Sequence, residues 1–262
     1  MKALRFSITL RFFRIWRRNL KVYSKIWKIS FVPPLLEPLF YLFAFGAGLG
    51  ALVGVLSYRG TELSYVAYLA PALIAINIMY NAFFENSYSS FVRMYYQKTY
   101  DAMMTTPLSL EEVITGEIFW GATKSAIATA IMTVVVGLFG LLSWPSSLLL
   151  LPLAFLGGLA FGAVAMLFTS LVPNIETFNL PIFLFITPMF LFSGTFFPLE
   201  NLPGWARLVA DFLPLTHLVR LARSCAYARL HAGNLWSLLY LVVFSVIFFP
   251  LALLGMRRRL IK

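Results

Sequence analysis

Two stretches of this sequence leave a soluble fold little room. Ala126 to Leu142 and Leu148 to Val172 carry no charged side chain, and each has about the length, roughly 20 residues at ~1.5 Å per residue, that crosses the hydrocarbon core of a bilayer. Across the 262 residues, 60% are hydrophobic and 12% charged, whereas soluble domains are roughly a quarter charged. No soluble core hides so much apolar surface. The expectation is therefore an all-α integral membrane protein with six transmembrane helices, over 29–55, 64–86, 114–142, 148–171, 178–194 and 235–255. No polar stretch is long enough to build a second domain, so 1–262 reads as one transmembrane domain. Within it, 1–28 is an amphipathic interfacial segment, 29–255 the six-span bundle and 256–262 a basic tail.

The formal net charge of +11 invites a nucleic-acid reading, but its distribution argues against one. Nine basic residues (Lys2, Arg5, Arg11, Arg14, Arg17, Arg18, Lys21, Lys25, Lys28) precede Glu37 with no acid among them, and Arg257, Arg258, Arg259 and Lys262 close the chain. Basic clusters flanking apolar spans mark ends that face the cytoplasm and its anionic lipids. The side assigned as extracytoplasmic holds only Arg59, Arg207, Arg220, Arg223 and Arg229. Both termini are thus expected in the cytoplasm, the protein in the inner membrane, and its charge against membrane lipids. A cleaved leader is not expected, because charge continues to Lys28 and no small-residue cleavage site follows the first apolar run. Within 3–21, Leu4, Ile8, Phe12, Ile15 and Trp16 fall on one side of a helix and Arg11, Arg14, Arg18 and Lys21 on the other, the pattern of a helix lying on the membrane surface.

Two connections are too long for turns. In 87–113, Pro107 interrupts any helix, while Ser109 and Glu112 have the spacing of a capping box that starts a new one. In 195–234, Pro198, Pro203, Gly204 and Pro214 break an otherwise apolar run, which reads as two short helices dipping into the outer leaflet and returning. Gly46, Gly50 and Gly54, and Gly158 and Gly162, recur at four residues, the spacing of close helix contacts.

Chemistry-bearing motifs are sparse. Gly116 to Ser125 approaches a phosphate-binding loop, but two residues separate Gly121 from Lys124 where the Walker pattern allows none; ATP hydrolysis by this chain is not expected, and neither is a bound cofactor. His217 and His231 flank a break with no clustered acids or thiols, and Cys225 stands alone, so no metal or catalytic site is expected. The informative groups are ionisable ones near membrane depth: Glu37, Glu85, Glu117 and Lys124, the last two being two turns apart on one face. Buried charges are costly and face a partner or a cavity. Glu37 and Glu85 are both candidate partners for Lys124, and Glu85 and Glu117 are equally compatible with interfacial exposure. Trp16, Trp27, Trp144, Trp205 and Trp236 fall near expected interfaces, where aromatic belts occur.

Segments across nearly the whole chain resemble one family in order: Glu37-Pro38-Leu39-Phe40-Tyr41-Leu42 leading to Gly46-Ala47-Gly48-Leu49-Gly50; Phe91-Val92-Arg93-Met94, Tyr100-Asp101-Ala102-Met103 and Thr106-Pro107-Leu108; and Phe192 to Leu199 with Leu202-Pro203, Pro214-Leu215-Thr216-His217 and Arg220. Together they look like the type-2 ATP-binding-cassette (ABC) exporter permeases. The resemblance implies two permease copies around a pathway, with a dimer of separate ATPase subunits, carrying ATP and magnesium, docked from the cytoplasm. It implies that Tyr100 to Leu110 is the coupling helix, that Tyr100, Asp101, Met104, Thr106, Pro107, Leu108, Ser109 and Glu112 are the ATPase-coupling residues in and just beyond it, and that Thr177 and the turn Pro173-Asn174-Ile175-Glu176 supply a second contact. Gly194, Phe197, Pro198, Pro203, Pro214 and His217 correspond to the re-entrant region. The implied substrate is amphiphilic: a glycolipid, lipo-oligosaccharide or lipid-linked polysaccharide, or alternatively a hydrophobic drug. An ion-gradient transporter and a membrane enzyme are the readings from other classes.

Overall fold

The computed structural model describes residues 8–50, 54–58, 61–229 and 231–261. Among them six helices are long and apolar enough to cross a membrane: α1 (Phe12–Gly46), α2 (Tyr65–Tyr96), α4 (Leu110–Leu138), α5 (Ser146–Leu171), α6 (Ile175–Phe192) and α9 (Gly233–Leu260). A short helix, α3 (Thr99–Met104), lies between α2 and α4, and two more, α7 (Gly204–Phe212) and α8 (Pro214–Ala226), lie between α6 and α9. The broken connection and the paired short helices thus occur where the prolines place them. A hairpin of β1 (Val55–Tyr58) and β2 (Thr61–Ser64), in register Val55↔Ser64, joins α1 to α2 and adds a small strand element to the all-α expectation.

α1 departs from expectation. The amphipathic segment and the first span form one helix from Phe12 onward, and the outer end of the expected span, 51–53, lies outside the described residues, as do Lys2, Leu4, Arg5 and Lys262. Thirty-five residues extend ~52 Å, well beyond the ~30 Å hydrocarbon core, so the basic first turns project past it. Their apolar side packs on protein. Ile15 is buried beside Gly116, where an added Cβ would lie 2.7 Å from the Ile15 Cβ; Phe12 meets Phe119 with ring centroids 4.9 Å apart; and Trp16 Nε1 donates to Thr123 Oγ1 at 2.8 Å.

α2 also outruns its expected end at 86 and continues to Tyr96 through π-helical turns at Glu85–Ser89 and Val92–Tyr96. The polar run that suggests a loop satisfies itself on the helix, with Asn86 Nδ2 donating to Ala82 O at 3.0 Å and Ser87 Oγ to Phe83 O at 2.6 Å. Such local wide turns recur at functional sites. α9 likewise runs past 255 to Leu260, where Arg259 donates to the carbonyls of Thr169 and, at 2.6 Å, Val172 at the end of α5, so the expected basic tail includes a helix C-cap.

The glycine spacing has mixed outcomes. A Cβ on Gly158 would lie 2.6 Å from the Ala122 Cα of α4, one on Gly162 2.8 Å from Asn86 Nδ2, and one on Gly46 3.2 Å from a Val66 methyl, so these are close approaches. Gly54 instead sits outside the helix at φ +67°, in the turn that enters the hairpin.

Two apolar clusters fill the bundle. One, toward the hairpin, gathers Leu69, Leu73, Phe161, Leu215, Leu218 and Val219; the other, toward the chain termini, gathers Phe91, Tyr100, Val113, Ile114, Phe178 and Met256. α2 is the central helix, with 78% of its apolar window buried, against 17% for α1, 22% for α6 and 17% for α9. Those three helices present their free faces outward to lipid or to another chain.

Candidate functional site

The ionisable residues singled out by sequence converge beside the second cluster. Glu85 accepts from Lys124 Nζ at 2.7 Å, from Arg93 Nη1 at 2.8 Å and from Trp120 Nε1 at 3.1 Å. Arg93 turns its other nitrogen to Glu117 at 2.5 Å, and Glu117 also accepts from Asn19 Nδ2 of α1 at 2.9 Å and Ser90 Oγ at 3.2 Å. Two carboxylates and two cations thus neutralise one another across α2 and α4. Glu85 and Glu117 are 4% and 0% exposed, which decides against interfacial exposure for both, and of the two candidate partners for Lys124 it is Glu85 that pairs. The network lies against a cavity of about 470 Å³, lined by Arg18, Tyr23 and Ser30 of α1, Tyr88 and Val92 of α2, Lys124 of α4 and Ile175 of α6. Charge at such depth is tolerable because every member has an opposite partner and hydrogen bonds.

Glu37 stands apart from that network. Its Oε2 accepts from Asn77 Nδ2 at 3.2 Å, and Asn81 Nδ2 donates to Asn77 Oδ1 at 3.1 Å.

The expected coupling segment divides by exposure. Tyr100 is fully buried, where burial and the nearby Glu117 carboxylate push its phenol well above the ordinary range and keep it neutral; Met103 is buried beside it, and Met104 and Leu108 are half-buried. Asp101, Ala102, Thr105, Thr106 and Pro107 face outward. Tyr100 is therefore an anchor for this segment and not part of its free surface. The capping box forms, with Ser109 Oγ accepting from Glu112 N at 3.2 Å and Glu112 Oε2 from Ser109 N at 2.9 Å. Glu112 is itself buried and bonded to Thr9, while Arg11 Nη1 donates to Pro107 O at 2.8 Å. These bonds tie the start of α1 to the proline break. The turn at Pro173 and Asn174 is exposed at the same end, and Asn174 Oδ1 caps Thr177 N at 3.0 Å.

In the re-entrant region Gly194 adopts φ +71°, and its carbonyl accepts from Tyr68 OH at 2.9 Å and from Arg223 Nη2 at 2.8 Å. Arg223 is 4% exposed, stacked 3.8 Å over the Tyr68 ring. The sequence places it among the charges of the extracytoplasmic side; the structure makes it a clamp joining α2, α8 and the 194–195 turn. Pro198 is buried and Phe197 and Pro203 are exposed; Pro214 opens α8, which is buried almost throughout. His217 is buried, stacked on Tyr240 at 4.0 Å; Nε2 donates to Asp211 O at 2.9 Å and Nδ1 accepts from Ser237 Oγ at 3.2 Å. Burial lowers its pKa from the ordinary value. The Cys225 thiol, also buried, is pushed up to about 11. Among the described residues no group of three His, Cys, Asp or Glu could hold a metal ion.

Sequence reasoning missed Asn19, Arg93 and Arg223. Asn19 carries one usable signal, an uncharged polar residue on the otherwise apolar side of a basic helix.

Comparison with known proteins matches residues 11–227 to the family model described as ABC-2 type transporter. The chain is 38% identical over 254 residues to nodulation protein J of Rhizobium leguminosarum bv. trifolii, covering 97% of this chain and 95% of that protein. It is 36% identical over 252 residues to nodulation protein J of Rhizobium meliloti (strain 1021), covering 94% and 92%. With the inner membrane transport permease YadH of Escherichia coli (strain K12) it shares 26% identity over 214 residues, 78% of each chain.

Proposed function

The chain belongs to the ABC-2 type transporter family, and from that premise we propose that it is the transmembrane permease subunit of an ATP-driven exporter. It moves a glycolipid, lipo-oligosaccharide or lipid-linked polysaccharide outward from the cytoplasmic side of the inner membrane, with both termini in the cytoplasm. Hydrolysis takes place in a separate ABC ATPase dimer, and two permease copies enclose the pathway. Similarity to proteins named for nodulation and to a named inner membrane transport permease supports this reading of class, location and substrate.

The observation that carries it is the proline-broken segment between α2 and α4. Its outward face is small and mixed, at Asp101, Ala102, Thr105, Thr106 and Pro107, while its inward face is anchored at Tyr100 and Met103. A lever needs both. A partner that displaces the outer face moves the buried anchors as a rigid body, and the bonds from Arg11 to Pro107 and from Thr9 to Glu112 pass that motion to α1 and α4 together. The Glu85–Arg93–Glu117–Lys124 network lies on the same path and holds α2 to α4.

Ala102→Arg combined with Pro107→Glu alters only exposed positions. The double variant should insert and fold as the parent does but lose co-purification with the ATPase subunit and substrate-stimulated hydrolysis. Undiminished association and coupling would remove this segment from the docking surface.

A further inference from the structure

α1 and α2 run antiparallel, with Gly46 against Val66 at one end and the cavity between Ser30 and Tyr88 at the other. On α2, Asn77, Tyr80, Asn81, Phe84 and Tyr88 recur at three and four residues and form one stripe. Rings continue along it: Tyr88 to Phe84 at 5.8 Å, Phe84 to Tyr80 at 5.7 Å, Tyr80 to Phe190 of α6 at 6.3 Å, Phe190 to Phe196 at 5.0 Å, Phe196 to Phe45 at 5.9 Å and Phe45 to Tyr41 at 5.9 Å. Each of these rings is partly or well exposed. In the middle of this track sit Glu37, Asn77 and Asn81. Among the described residues Glu37 has no cation within 4.0 Å, Asn77 is 1% exposed with both ends of its amide bonded, and neither Glu37 Oε1 nor Asn81 Oδ1 accepts a hydrogen bond. A carboxylate at membrane depth without a counter-charge marks a functional position.

We propose that Glu37 and Asn81, oriented by Asn77 and framed by Tyr41, Tyr80 and Phe84, form a binding station for the sugar hydroxyls of a lipid-anchored glycan. The free acceptors suit hydroxyl donors, the Asn81 amide is held with its oxygen free because its Nδ2 donates to both Asn77 O at 3.0 Å and Asn77 Oδ1 at 3.1 Å, and the rings suit the C–H faces of a pyranose. The lipid anchor has exposed apolar side chains on the two outer helices that carry the track: Phe40 and Phe43 of α1 and Phe183 and Leu184 of α6 are 68%, 78%, 69% and 76% exposed. A cationic amphiphile would need the carboxylate and the rings but not the carboxamides. This assignment rests on the exporter reading above and specifies its substrate contacts.

The test measures binding of three dodecyl amphiphiles to the purified permease in lipid nanodiscs, each below its micelle-forming concentration: the maltoside, the tetra(ethylene glycol) ether and the trimethylammonium salt. The maltoside should bind about tenfold or more tightly than the ether, a gap of roughly one or two hydrogen bonds in a buried site. Asn81→Leu and Glu37→Gln should each erase most of that ratio while leaving affinity for the ether unchanged. Equal binding of maltoside and ether by the parent protein, or equal loss of both in the variants, would overturn the station; so would preferential binding of the trimethylammonium salt that survives Asn81→Leu. If the station fails while the permease still co-purifies with an ATPase and transports with ATP, the exporter reading stands without it. If neither partner nor ATP dependence is found, the exporter reading itself falls.

Discussion

Arg93→Met is the most informative single change in the ionic network. Arg93 is 15% exposed and bonded at 2.8 Å to Glu85 and 2.5 Å to Glu117, so its removal leaves the quartet with a net charge of −1. Glu85 keeps Lys124 and Trp120, but Glu117, fully buried, keeps only the neutral donors Asn19 and Ser90. Removing one partner of a buried ion pair costs about 3–5 kcal/mol. Glu117→Gln, by contrast, leaves Arg93 paired to Glu85 and an amide oxygen in place to accept from Asn19, so its cost should be that of weakened hydrogen bonds, about 0.6–1.5 kcal/mol. The double variant Arg93→Met, Glu117→Gln restores neutrality and should be more stable than Arg93→Met alone by about 2 kcal/mol, the signature of coupled sites. Reversible unfolding in mixed micelles, followed by far-ultraviolet circular dichroism, gives all three values. If Arg93→Met costs no more than Glu117→Gln, or if the second substitution worsens the first, the network is not the buried, mutually neutralising set described.

Gly158→Ala should lower thermal stability, because its Cβ would lie 2.6 Å from Ala122 Cα, a clash worth about 1–3 kcal/mol; Gly204→Ala, which meets nothing within 4 Å, should change the same melting measurement little. Arg223→Met removes the donors to Gly194 and Thr195, and hydrogen exchange at 193–198 should rise selectively as that turn loses its clamp. The lowered pKa of His217 means that the unfolded chain binds this proton more readily than the folded one. Its contribution is complete above the ordinary histidine pKa and is lost as pH falls through the lowered folded value. Melting temperature should therefore drop on acidification from pH 7 toward 5, and His217→Gln should flatten that dependence; an unchanged slope would place it elsewhere.

Much of the architecture was legible because bilayer physics constrains it. Apolar runs such as Leu148 to Val172 must become helices, Pro107 must end one, and Ser109 with Glu112 must start another, and the structure contains each. The limits of legibility lie where a residue's neighbours decide its role. Glu85-Asn86-Ser87-Tyr88-Ser89-Ser90 has the composition of a loop, yet the side chains bond back to helical carbonyls and carry α2 on to Arg93, which completes the ionic network. Arg223 reads as an outer loop charge because nothing local reveals that α8 is buried or that Gly194 turns its carbonyl inward. Ile15 reads as part of a lipid-facing surface because Gly116, about 100 residues away in sequence, is the site that receives it, and Asn19 finds its partner only in the adjoining Glu117. The hairpin left a fainter trace: Val55, Tyr58 and Thr61 favour strand, and Gly60 favours a turn, but two four-residue strands are too short to stand out beside long helices.

The proposed division of labour between this chain and a companion ATPase is tested most directly by reconstituting the purified permease in liposomes, with and without any ATPase recovered with it from its native membrane, and following a fluorescent glycolipid across the bilayer. Outward movement should require both the second protein and hydrolysable ATP, and dissipating the proton gradient should not stop it. Movement driven by the permease alone, or by a proton gradient without nucleotide, would contradict that division.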